Sequence, residues 1–201
     1  MSPVSYVSGA TDVQIAAWLE RRLEGDAPIA ISVPGGSTPF PILTELAGGA
    51  TRWDRISVWP GDDRVVPEDH PASNTGKIRR ALEPLGAAIA PLSEAAAPPH
   101  FRLVWLGMGA DGHIASLFPN TDPRPNDPLR VRRLTPDPLP PEAPYPRLSL
   151  TIPALLDCDE LVFVIRGADK LALFRQAATG ANDLPVARLL RAATQPVTCF
   201  C

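Results

Sequence analysis

Cysteine is scarce in this chain, and its three residues, Cys158, Cys199 and Cys201, are an odd number without framework spacing. Reduced thiols are therefore expected, with Cys199 and Cys201 read as a terminal strand flanking Phe200. The three histidines, His70, His100 and His113, lack the spacing of metal ligands, so no zinc site and no metal are expected. No apolar run approaches the roughly 18 residues that a membrane span needs, and the opening MSPVSYVSGATD lacks the basic-then-apolar layout of a signal peptide. The expectation is a soluble cytoplasmic protein. Positive charge is also short, with a formal net charge of −3, which argues against a general nucleic-acid surface and requires any anion to be caught locally. Lysine is rarer still: of 19 cationic residues only Lys77 and Lys170 are lysines, and the default reading of each is a solvated surface charge. There is no internal repeat.

What the chain does have is enough apolar sequence, 45% of 201 residues, to bury a core. Strands and helices alternate along it. Thr11 and Asp12 can cap a helix through Glu24 with Ile15, Trp18, Leu19 and Leu23 on one face. Strands are expected at Pro28–Val33, Ile56–Trp59, Phe101–Leu106, Arg147–Ile152 and Leu161–Ile165. Helices are expected at Pro39–Leu46, after Asn74 as a cap and carrying Ile78 and Leu82, at Asp169–Ala178 and from Pro185. This order predicts a single α/β domain over residues 1–201, its mostly parallel sheet flanked by helices on both faces. Residues 119–146 hold ten of the 25 prolines. Regular helix or central strand is excluded over most of that stretch, which reads as a surface loop.

Four polar clusters, PGGSTP, DDR, GADGH and RGADK, each follow an expected strand, the edge where open α/β sheets bind ligands. Gly35, Gly36, Ser37 and Thr38 offer free backbone N–H groups, two hydroxyls and a helix start, which suits a phosphate. A plain turn is an equal reading. It is neither a Walker loop nor a G-x-S-x-G elbow, since Pro39 stands where the last glycine is needed. Asp62, Asp63 and Arg64 read either as a surface ion pair or as an arginine held by a carboxylate and aimed at substrate oxygens. In LGMGADGHIASLFP, Gly107, Gly109 and Gly112 match G-x-G-x-x-G. The acidic residue expected about 20 positions on is Asp127, set among prolines, so a dinucleotide site is set aside. Ile114–Phe118 is expected to open a helix whose N-terminus would favour an anion. His113, two residues after Asp111, is read as a general base in preference to a capping side chain, because imidazole titrates near neutrality. His70 and His100, in Pro-flanked loops, are read as solvated.

PGGSTP, the run from Trp59 to Asn74 (W-x-x-D-D-R-x-V-P-x-x-H-x-x-S-N), LGMGADGHIASLFP, PRLSLT and GADK occur in the order found in the glucosamine-6-phosphate isomerase/6-phosphogluconolactonase family. The chain resembles its lactonase branch from about Ile29 to Lys170. The resemblance implies the amino-sugar-phosphate isomerase/deaminase fold, no cofactor, and lactone hydrolysis in the oxidative pentose phosphate pathway. The related deaminases carry a glutamate where Phe118 stands and a tyrosine where Arg64 stands, so both positions side with the lactonase. Three features depart from the usual pattern: Asp63 replaces a glutamate, Pro34 replaces a serine or alanine, and the usual run continues beyond Cys201.

With that resemblance, His113 is expected to activate water, Asp111 to orient the loop or the imidazole, Arg64 with nearby N–H groups to stabilise the oxyanion, and Gly109 to bind substrate. Gly35, Gly36, Ser37 and Thr38 with Arg147 and Lys170 are expected to hold the phosphate, Asp62 to line the substrate site, and Asn74 to touch the sugar or Arg64. The alternatives are an amino-sugar-phosphate isomerase or deaminase and a non-catalytic sugar-phosphate-binding module. The expected partner is a small-molecule sugar-phosphate lactone, not nucleic acid or membrane, and the sequence does not separate a monomer from a weak dimer.

Overall fold

Four consecutive buried residues in each of the strands β6 (Leu103–Leu106), β9 (Leu161–Val164) and β10 (Val197–Phe200) define the architecture of the computed structural model, which describes residues 3–141 and 143–201. A strand buried on both faces needs cover on both. Alternate residues supply it: Leu103, Trp105, Val162, Val164 and Phe200 join one core, while Val104, Leu106, Leu161, Phe163, Val197 and Cys199 join the other. Helices α1 (Asp12–Arg22), α2 (Pro39–Ala47) and α3 (Asn74–Leu82) close the first core through residues such as Ile15, Ile42 and Ile78. Helices α4 (Ile152–Leu156), α5 (Ala168–Ala178) and α6 (Pro185–Ala192) close the second through Leu155, Phe174 and Leu189. Each such side chain contributes about 1.5–3 kcal/mol when fully buried. The expected capping of α1 is present: Thr11 Oγ1 accepts from Gln14 N, and Gln14 Oε1 accepts from Thr11 N.

With β1 (Val4–Val7), β2 (Ile29–Val33), β3 (Ile56–Pro60) and β5 (Ala88–Ile89), the large sheet runs β1-β10-β9-β6-β2-β3-β5, and every pair is parallel. From β2 the chain proceeds to β3 and β5 on one side, and later to β6, β9 and β10 on the other. The order therefore reverses between β2 and β6, which opens a crevice beyond their C-terminal ends.

Four expectations change. Residues 114–118 form no helix: Ile114 and Leu117 bridge to each other, and Ala115 has φ 49°. Ala115 thus takes a left-handed backbone that a right-handed helix cannot contain, and Pro119 biases Phe118 to the extended backbone it adopts. The macrodipole expected there is absent. The DDR cluster is itself a strand, β4 (Asp62–Arg64), in a second, antiparallel sheet β4-β8-β7 with β8 (Arg147–Leu150) and β7 (Val131–Leu134). The proline-rich stretch thus contains an edge strand, within its longest proline-free run, residues 129–135, as well as a short 3-10 turn at Pro119–Thr121. Glu142, inside that stretch, and the first two residues lie outside the described residues. Ser73 rather than Asn74 caps α3, accepting from Gly76 N.

At the opposite, N-terminal edge of the sheet, His100 is held by two carboxylates, Asp157 at 2.8 Å and Asp159 at 2.9 Å, instead of being free in solvent. Hydrogen bonding to Asp157, then to Asp159, raises its pKa, and the bond from His100 is the first cause of the lowered pKa of Asp157. A histidine raised in the folded state adds stability below its unfolded value of about 6.5 and loses it as pH rises through the raised value. Because the groups are exposed, His100→Ala is expected to cost no more than about 1 kcal/mol at pH 6 and nothing once His100 is deprotonated, as read by denaturant titration across that window. A pH-independent cost would contradict the pairing.

Candidate active site

The C-terminal edge of the large sheet carries a cleft of about 360 Å³ at the β2/β6 crevice. Into it come Gly35, Gly36, Ser37 and Thr38 after β2, Asp62 and Arg64 from β4, Asn74 from α3, Gly109 and His113 after β6, Arg147 from β8, and Lys170 from the first turn of α5. The expected site residues therefore lie in one place, except Asp111, which does not line the cleft and reaches it through its bond to His113. Asp63 and Lys77 do not line it.

His113 is fixed from three directions. Asp111 Oδ1 is 2.6 Å from Nδ1 and accepts the His113 backbone N–H at 3.2 Å. The ring of Phe118 packs against the imidazole with centroids 4.5 Å apart. Beneath it lies Gly109, where any Cβ would collide with the imidazole and with Asp111. The turn is closed by Gly109 N donating to His113 O at 2.9 Å and by Gly112 at φ +78°, a left-handed position that favours glycine. Nδ1 is engaged by the carboxylate, whereas Nε2 makes no hydrogen bond among the described residues.

Arg64 is held differently from the sequence expectation. Among the described residues no carboxylate grips its guanidinium: Nη1 donates to the Ala72 carbonyl at 2.8 Å and to Asn74 Oδ1 at 3.4 Å, and Nε is buried without a partner there. Asn74 thus touches Arg64, one of its two expected contacts. Its Nδ2 donates to the Asp62 carbonyl at 2.9 Å and to Asp62 Oδ1 at 3.2 Å. Asp62 also accepts from Ser116 Oγ, whose backbone N donates to Ser149 Oγ at 3.2 Å. Arg147 lies beside Arg64 across the β4–β8 ladder and is buried, with Nη1 and Nη2 donating to the carbonyls of Tyr145 and Ala143 at 2.8 and 2.7 Å. Burial and the neighbouring Arg64 lower its pKa, yet arginine stays charged. Burial, then Arg64, likewise lowers the pKa of Lys77 on α3. His70 is not simply solvated either: its Nδ1 accepts from Ala72 N at 3.0 Å and its ring meets Tyr145 edge-on.

The Gly35–Thr38 turn lines the cleft and leads straight into α2 with Pro39 at its first position, so the positive end of the helix dipole lies at the cleft. Lys170 stands at the corresponding end of α5. Sequence reasoning did not assign Ser116, which carried no signal, or Arg166, which lines the rim and pairs with Asp12 at 2.7 Å. Arg166 was visible only as part of the RGADK cluster.

Fold and cleft together define an α/β protein with an anion-receptive site at the switch point of a parallel sheet. A family model described as glucosamine-6-phosphate isomerases/6-phosphogluconolactonase matches residues 5–91 and 83–198. The chain belongs to that family. It is similar to the 6-phosphogluconolactonase of Caulobacter vibrioides, 37% identical over 186 residues that cover 81% of this chain and 78% of the relative. It is also similar to that of Mesorhizobium japonicum, 31% identical over 93% and 87%. A solved 6-phosphogluconolactonase from Thermotoga maritima shares the fold, with a TM-score of 0.82 at 24% identity over 98% of this chain and 99% of that one.

Proposed function

We propose that this chain hydrolyses 6-phospho-D-glucono-1,5-lactone to 6-phospho-D-gluconate, the lactone step of the oxidative pentose phosphate pathway. The observation that carries the reading is an imidazole aligned by a carboxylate, its Nε2 unengaged, in the same cleft as a helix-start glycine turn and a lysine. The curated relatives bearing the lactonase name support it. A δ-lactone is an activated ester, so no covalent nucleophile is required. His113 Nε2 takes a proton from water as the oxygen attacks the lactone carbonyl, and Asp111 stabilises the imidazolium that forms. Arg64 and the backbone N–H groups of Gly107 and Met108 are assigned to the developing oxyanion, that of Gly109 being spent on the His113 carbonyl. The tetrahedral intermediate collapses as His113 returns the proton to the ring oxygen, which leaves as the product hydroxyl.

The phosphate is taken by the N–H groups and hydroxyls of Gly35–Thr38 and by Lys170. Arg147, with two nitrogens spent on carbonyls, contributes its field to this end of the cleft. The reaction fits a cytoplasmic enzyme working on a small molecule without nucleic acid or membrane as partner, in chains that act singly or as a weak dimer.

Two measurements bear on this reading. Acid should be released from freshly generated 6-phosphogluconolactone, and no ammonia from glucosamine 6-phosphate; the reverse pattern would place the chain with the deaminases. Lys170→Ala removes one charge-assisted contact to a phosphate that is bound equally in ground and transition states. It is expected to raise KM about 10–100-fold with kcat within a few-fold of the parent. An unchanged KM would remove Lys170 from the phosphate site.

A further inference from the structure

Asp63 neither lines the cleft nor touches a cation, yet it is 7% exposed and its carboxylate is saturated with donors. Oδ1 accepts the backbone N–H groups of Asn74 at 2.6 Å and Arg64 at 2.8 Å. Oδ2 accepts from Thr75 N at 2.9 Å, from Ser73 Oγ at 3.3 Å and from Thr75 Oγ1. A buried carboxylate persists when hydrogen bonds and the positive end of a helix replace water, and Asp63 has both at the start of α3.

The consequence lies one residue further on. The bond to Asn74 N sets where α3 begins, and with it where the Asn74 side chain stands. That side chain does three things: it accepts from Arg64 Nη1, it donates to Asp62, and it fills the space over Gly35, where a Cβ would collide with it. One amide therefore touches both ends of the cleft, the arginine at the lactone end and the glycine turn at the phosphate end. We infer that Asp63 is a positioning residue which, through Asn74, fixes the placement of Arg64 relative to the Gly35–Thr38 turn. The inference rests on the proposed lactonase reading for its kinetic readout only.

The test is a double-mutant cycle of Asp63→Asn and Asn74→Ala, with melting temperatures measured so that rates are compared well below unfolding. Asp63→Asn keeps the volume but places an amide nitrogen against N–H donors. It is expected to lower kcat/KM on 6-phosphogluconolactone about 10–100-fold, as sub-ångström misplacement of reacting groups does. Asn74→Ala should do the same. If Asp63 acts through Asn74, the double variant falls within about twofold of Asn74→Ala alone. Multiplying losses, or full kcat/KM in Asp63→Asn, would overturn the inference, because a merely structural Asp63 lowers the melting temperature without this coupling. Should the parent chain fail to hydrolyse the lactone, the lactonase reading fails on its own. The positioning claim is then read from a crystal structure of Asp63→Asn: displacement of Asn74 from Gly35 and Arg64 supports it, and an unmoved Asn74 overturns it.

Discussion

His113→Ala is expected to lower kcat on 6-phosphogluconolactone by about 10²–10⁴-fold, the usual worth of a positioned general base, with KM changed by no more than a few-fold. The asymmetry follows from where the residue sits. Its Nδ1 is committed to Asp111 and its ring is packed on Phe118, so Nε2 is the atom available to a water in the cleft. The groups assigned to the phosphate, Gly35–Thr38 and Lys170, belong to other elements and keep their own supports. Initial-rate titration of released acid checks this, with the spontaneous hydrolysis of the lactone subtracted. A variant with kcat within threefold of the parent would show that another group, or none, takes the proton.

Gly109→Ala tests the same claim without deleting any functional group. The φ of Gly109 lies outside the left-handed region, so alanine imposes no backbone strain, and the enzyme should fold with a melting temperature near that of the parent. The added methyl would meet the imidazole and, at 2.7 Å, Asp111 Oδ1. One of them must move, and the Asp111–His113 bond is lost or redirected. An error of about 1 Å in the base costs about 10²-fold in rate, so kcat is expected to fall by about that factor while KM holds. Unchanged kcat would mean that the alignment of His113 by Asp111 has no part in the reaction.

Much of this arrangement was legible in the sequence because it depends on short-range rules. Runs such as LVFV and LVWL, apolar at every position, required a sheet covered on both faces, and both cores are present. Thr11 and Asp12 marked the start of α1, and Pro39 after PGGST marked the start of α2. The convergence of four clusters on one sheet edge followed from strand order alone. What stayed hidden depended on partners far away in the chain. The strand β4 exists because Asp62–Arg64 pairs with Arg147–Ser149 some 85 positions later, and a charged DDR run carries no strand period of its own. Ile114–Phe118 looked helical until Ser116 was drawn to Asp62 and Ser149. The grip on Arg64 came from a carbonyl and an amide, not the carboxylates beside it, because Asp63 turns toward α3 and Asp62 toward Ser116 and Asn74.

The central claim is that one cleft joins a lactone-directed base to a phosphate grip, and its most direct measurement is kcat/KM for 6-phosphogluconolactone against unphosphorylated glucono-1,5-lactone under the same conditions. Two charge-assisted contacts to phosphate, together about 3 kcal/mol or more, correspond to a preference of at least about 10²-fold for the phosphorylated lactone. Equal values for the two lactones would contradict the account.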